Sequence, residues 1–133
     1  MAEKLDWLRR FIGTAIGFFF WGTAGVLLQL VLYPYMLTRK THSLQNQLKT
    51  RRFVGRIWYY FIRYLSFVGV LQVTYKGFEK LGRPGQLILP NHPSLLDVVL
   101  ILGKVPTLNC IVKKDLLNNP TMRNQILACG FLP

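Results

Sequence analysis

His92 and Asp97, five residues apart, form the pair in this sequence best suited to moving a proton. They lie in the stretch Gln86-Leu-Ile-Leu-Pro-Asn-His-Pro-Ser-Leu-Leu-Asp97. A helix is expected to begin near Pro93, because a proline at the first helical position wastes no N–H and already has a helical φ. Asp97 then falls one turn into the helix, on the face of the loop end. A carboxylate bonded to one imidazole nitrogen fixes the tautomer and leaves the other nitrogen free as a base. The positive helix end opposes protonation of the ring and favours neutral imidazole. Such a dyad suits removal of a proton from a hydroxyl. The plainer reading of Asp97 is compensation of the helix dipole. Asn91, Pro93 and Ser94 shape the loop, as such residues do at helix starts.

The elements that position this pair are a strand, a loop and a helix. Leu87 to Leu89 reads as a short strand buried on both faces, which puts Asn91 and His92 at its carboxyl end, where open α/β sheets hold ligands. Leu71-Gln-Val-Thr-Tyr75 alternates like a strand with one buried face. Turns follow at Lys76-Gly77-Phe78-Glu79 and Gly82-Arg-Pro-Gly85. Asn109 to Val112 reads as another strand. Asp115 to Cys129 reads as helical with a break before Pro120 and a stop at Gly130. Strand–helix–strand spacing implies a parallel pair with a right-handed crossover. The expectation for residues 70–133 is therefore the first part of an α/β domain with a partly parallel sheet.

Residues 1–69 read as a membrane-anchoring helical region. Phe11 to Leu32 carries no charge, and as a helix it measures about 33 Å, enough to cross a hydrocarbon core. The expectation for 11–33 is a transmembrane or hairpin helix, ended or kinked by Pro34. Gly13-x-x-x-Gly17 offers a close helix-packing site. The run is too long for a signal peptide, and no small-x-small site follows it. After a polar linker, residues 52–69 read as an amphipathic interfacial helix. Lys49, Arg52, Arg56 and Arg63 share one of its faces, and Arg52, Arg56 and Arg63 are expected to contact lipid phosphates at the membrane surface. Two other readings are a second arm of a membrane-dipping hairpin with snorkelling arginines and a helix of a soluble bundle with a solvated stripe.

Charge points the same way. The formal net charge is +12, and none of the five acids falls between Trp7 and Phe78, where ten Lys and Arg do. An acid-free, basic and apolar region fits an anionic membrane surface. Nucleic acid is disfavoured because the basic residues are interleaved with lipid-like runs. More basic residues follow the first apolar segment than precede it, which puts the C-terminal side in the cytoplasm, at an inner or plasma membrane. Cys110 and Cys129 form neither a metal site nor a disulfide framework. They read as buried reduced thiols, in keeping with a cytosol-facing domain.

Asn91-His92-Pro93-Ser94-Leu95-Leu96-Asp97 resembles the Asn-His-x-Ser-x-x-Asp signature of the glycerolipid acyltransferase family, whose type member is 1-acylglycerol-3-phosphate acyltransferase. Lys113-Lys114-Asp115-Leu116 followed by Pro120 is similar to a second family pattern, with Asp115 in place of its usual Glu. Gly130-Phe131-Leu132-Pro133 looks like the opening of the family's substrate motif. The resemblance covers roughly residues 70–133. The chain ends before the arginine of that motif and before the family's Glu-Gly-x-Arg motif, so an N-terminal piece of the domain is expected. The resemblance implies fatty acyl transfer from acyl-CoA or acyl-carrier protein, as co-substrate, to a lysophospholipid in phospholipid biosynthesis. His92 would be the general base, Asp97 its orienting group and Lys113 a candidate for a phosphate; no cofactor is implied. The competing expectation is a non-catalytic membrane-anchored lipid-binding or interaction protein.

Overall fold

A computed structural model describes residues 1–38, 40–91 and 96–133. Its framework is helical. α1 spans Ala2–Leu37, α2 Leu44–Val68, α3 Leu96–Lys104 and α4 Arg123–Cys129, with short 3-10 turns at Lys40–His42, Phe78–Lys80 and Lys114–Asn118.

α1 is 36 residues long and keeps Pro34 inside its last turn. At 1.5 Å per residue that is about 54 Å. α2 folds back along it as an antiparallel hairpin, and the contact follows glycine. A Cβ at Gly13 would collide with Val68, and one at Gly17 would meet the Tyr64 ring at 2.9 Å. The Tyr64 hydroxyl donates to the Gly13 carbonyl at 3.0 Å. Gly13-x-x-x-Gly17 thus receives the last turns of α2. Further along, Trp21 of α1 lies 4.4 Å from the Phe61 ring and 6.4 Å from that of Trp58.

α2 is the centre of the molecule. Its inward residues Val54 and Trp58 join Leu102 of α3 with Ile126 and Cys129 of α4, and Phe131 closes this core. α3 crosses α2 closely: a Cβ at Gly103 would lie 3.1 Å from the Tyr59 nitrogen, and one at Gly55 would lie 3.0 Å from the Leu102 carbonyl. A smaller cluster joins Leu28 and Leu32 of α1 to Ala128 of α4. The Gln29 side-chain carbonyl accepts the backbone N–H of Asn124 at 3.2 Å, so the first turn of α4 docks on the C-terminal third of α1. α4 ends at Gly130 in the left-handed region, φ 67°, a conformation glycine adopts without a Cβ penalty.

The expected α/β architecture with a partly parallel sheet is not what forms. No strand and no sheet occur among the described residues, where the fold is helical. Leu87 and Leu89, expected to be buried in a central strand, are 80% and 83% exposed. Residues 109–112 make one isolated parallel bridge, Ile111 to Leu132. There the Val112 N–H donates to Leu132 at 2.7 Å and the Leu132 N–H to Cys110 at 2.9 Å. The reason lies in what covers α2. A sheet layer needs a helix face to pack on, and the inward faces of α2 are already filled by α1, α3 and α4. Three-residue apolar runs carry too few backbone bonds to form a ladder without such a layer. Leu71 to Tyr75 keeps its alternation as half-buried and exposed side chains but has no ladder.

Candidate functional site

Two regions matter: the start of α3, and the outer surface of the α1–α2 hairpin.

At the first, Asp97 lies half-buried in the opening turn of α3, where a carboxylate is favoured by the helix dipole. Asn91 is exposed at the end of the segment that precedes it. His92, Pro93 and Ser94 lie outside the described residues. Lys113 is exposed and caps the 3-10 turn Lys114–Asn118, on a different element from Asp97. α3 itself is held by Leu102, which is 5% exposed in the core, with Val98 and Val99 packed beside it. The rigid side of the Asp97 helix thus faces α2.

The second region is larger. Of the 36 residues of α1, only Gly13, Gly17, Leu28 and Leu32 are buried. Phe19, Phe20, Leu27, Leu30 and Val31 are each more than half exposed. α1 is long and apolar enough to cross a membrane. On α2, Arg52, Arg56 and Arg63 are exposed on one strip. Beside them runs a ridge that the sequence reading did not single out. Phe53, Tyr60 and Phe67, seven residues apart, are 51%, 64% and 87% exposed. The seven-residue spacing was the available signal, since it returns a residue to nearly the same helical face. Arginines beside aromatic rings make a surface with both polar and apolar affinity for an interface.

No family model, curated protein or solved structure matches the chain.

Arg51 differs from its neighbours. It is 6% exposed, and its Nε donates to the Cys129 carbonyl at 2.5 Å. Longer contacts reach the Gly130 carbonyl at 3.4 Å and that of Thr107 at 3.5 Å. Its guanidinium lies 5.7 Å from the Phe131 ring centre. It therefore satisfies the carbonyl end of α4, where a cation is favoured. Burial pushes its pKa down, with Cys129 acting in the opposite direction, yet an arginine stays charged throughout the physiological range. Burial pushes the Cys129 thiol up to about 12, against the pull of Arg51. Cys110, also raised by burial, and Cys129 are both poor nucleophiles, because reactivity belongs to the thiolate.

Proposed function

We propose that this chain serves a membrane-bound acyltransferase reaction in which a fatty acyl group passes to a lysophospholipid. The observation that carries the reading is the heptapeptide Asn91 to Asp97, with Asp97 in the opening turn of a helix fixed on the core. His92 would take the proton of the acceptor hydroxyl. The oxygen then attacks the thioester carbon of acyl-CoA or acyl-carrier protein. The C–S bond breaks, and the thiolate leaves with the proton held by His92, so no acyl-enzyme is needed. Asp97 would hold the imidazole in the required tautomer, and Lys113 would meet a phosphate. Localisation follows from charge: the basic side would face the cytoplasm.

The hairpin supports placement at the bilayer surface. Acceptor and product both carry long tails, and drawing them into water costs about 0.8 kcal/mol per CH₂. α4, with its exposed Arg123, docks on α1 at Gln29. That contact favours α1 lying with its outer face in one leaflet over α1 passing alone through the bilayer.

The test is His92→Ala in the full-length protein, assayed with a thioester donor and a lysophospholipid. Loss of transfer with intact vesicle binding is expected. Ordinary turnover removes the catalytic reading.

A second reading is favoured by the helical packing around α2: a membrane-bound lipid-binding protein without catalysis. It predicts vesicle binding and no transfer in the wild type as well.

A further inference from the structure

A groove of about 400 Å³ lies between the last turns of α2 and the extended segment at Val73 and Tyr75. One part of its lining is polar: Arg63, Ser66 and the rings of Tyr59 and Tyr75. The other part is Ile62, Phe67 and Val73. The Lys104 ammonium sits over the two tyrosine rings, 5.5 Å from the centre of Tyr59 and 5.1 Å from that of Tyr75. No carboxylate pairs with Arg63 or Lys104 among the described residues; the ion pairs seen there join Asp6 to Arg9 and Arg10. The groove therefore joins Arg63 and several hydroxyls to an apolar wall, with no acid in its lining, and Lys104 lies beside it on its two tyrosine rings.

The geometry points to a binding site for one anionic phospholipid, its phosphate against Arg63, Ser66 and Lys104 and its acyl chain along Ile62, Phe67 and Val73. The inference rests on the membrane-surface reading of the hairpin and not on acyl transfer. Guanidinium and ammonium donors form short, strong bonds to phosphate oxygens. Cation–π attraction holds Lys104 against the two tyrosine rings that wall the groove, within a side chain's reach of a phosphate seated there. Phe67, 87% exposed at the rim, gives the groove an apolar edge continuous with Phe53 and Tyr60. That edge distinguishes a lipid from a free phosphate ion, which would gain nothing from it. Burial raises the Tyr75 hydroxyl pKa, with Tyr59 adding to the effect. The hydroxyl therefore keeps its proton and can donate.

The test uses the full chain in phosphatidylcholine nanodiscs containing phosphatidic acid with a photoreactive diazirine in its acyl chain. Labelling is expected within residues 59–75. Arg63→Gln and Lys104→Gln should each lower it about tenfold, the effect of one charge-assisted contact. Arg123→Gln removes the same charge from an exposed position on α4, outside the groove lining, and should leave labelling unchanged. Equal losses in all three variants, or label spread along α1, overturn the site. Complete displacement by inorganic phosphate at matched ionic strength overturns the lipid assignment. A chain that does not enter the nanodisc overturns the membrane reading and the site with it. A chain that enters but is not labelled in the groove overturns the site alone.

Discussion

Arg51→Met tests whether a single buried cation holds the C-terminal helix against the hairpin. The methionine keeps most of the apolar stem and removes the donors. The bond to the Cys129 carbonyl is short, and a charge-assisted bond of that kind contributes about 1.5–3 kcal/mol net. The contacts at 3.4 and 3.5 Å are near the outer limit of hydrogen bonding and add little. The position over Phe131 adds about 0.5–1 kcal/mol. Removing a desolvated charge works the other way and offsets part of this. The expected loss is about 2–3 kcal/mol, out of a total stability of about 5–15 kcal/mol for a domain. Urea unfolding in a nonionic detergent, followed by tryptophan fluorescence, measures it, because Trp58 lies in the same core. Arg52→Met is the control. Arg52 is exposed one residue away, so its loss should change stability by no more than about 0.5 kcal/mol. Equal effects for the two variants, or a change below about 0.5 kcal/mol for Arg51→Met, would refute the reasoning.

The helix glycines give an opposed pair. Gly13→Leu forces Val68 aside and should cost about 1–3 kcal/mol in the same unfolding assay. At Gly22 an added Cβ meets nothing within 4 Å, so Gly22→Ala should stabilise the helix by about 0.5–1 kcal/mol. Cys129 sets a pH dependence. Its folded pKa is raised to about 12 from 9.0, so the unfolded chain loses that proton first. Stability should fall as pH rises from about 9 towards 12, and Cys129→Ala should remove that part of the slope. At neutral pH a small maleimide should label half-buried Cys110 before buried Cys129, and the reverse order would contradict the packing of α4. Replacing Arg52, Arg56 and Arg63 together by Gln should weaken binding to anionic vesicles in sedimentation, with the deficit shrinking at high salt.

The parts of the fold legible in the sequence were those whose signal is local. The uncharged run from Phe11 and the periodic arginines mark α1 and α2, although α1 extends beyond the expected 11–33 at both ends and α2 begins at Leu44, ahead of the expected 52–69, and ends at Val68. The Gly13–Gly17 pair and the stop at Gly130 depend on missing side chains, which sequence shows directly. The expected strands failed because pairing is not local. Leu87 to Leu89 has strand-like composition, but nothing in those three residues says whether a neighbour will bond to them. Of the proposed dyad, Asp97 lies on a helix, as the apolar run Leu96 to Leu102 implies. Arg51 was lost within a basic run. Its helical phase, on the side of Val54, Gly55 and Trp58, separates it from Arg52, and reading phase in place of composition would have found it.

The docking of α4 also bears on the order in which the chain is made. Gln29 and Asn124 are 95 residues apart, and Arg51 and Cys129 are 78 apart. The hairpin of α1 and α2 therefore leaves the ribosome well before the seven-residue helix that completes its core. Until α4 emerges, Leu28 and Leu32 on one arm and Val54 and Trp58 on the other lack their Ala128, Ile126 and Cys129 partners. During that interval the nascent hairpin is sticky on both its outer and its inner faces. Early delivery to a bilayer would shield the outer face, leaving the inner slot to be closed when α4 emerges.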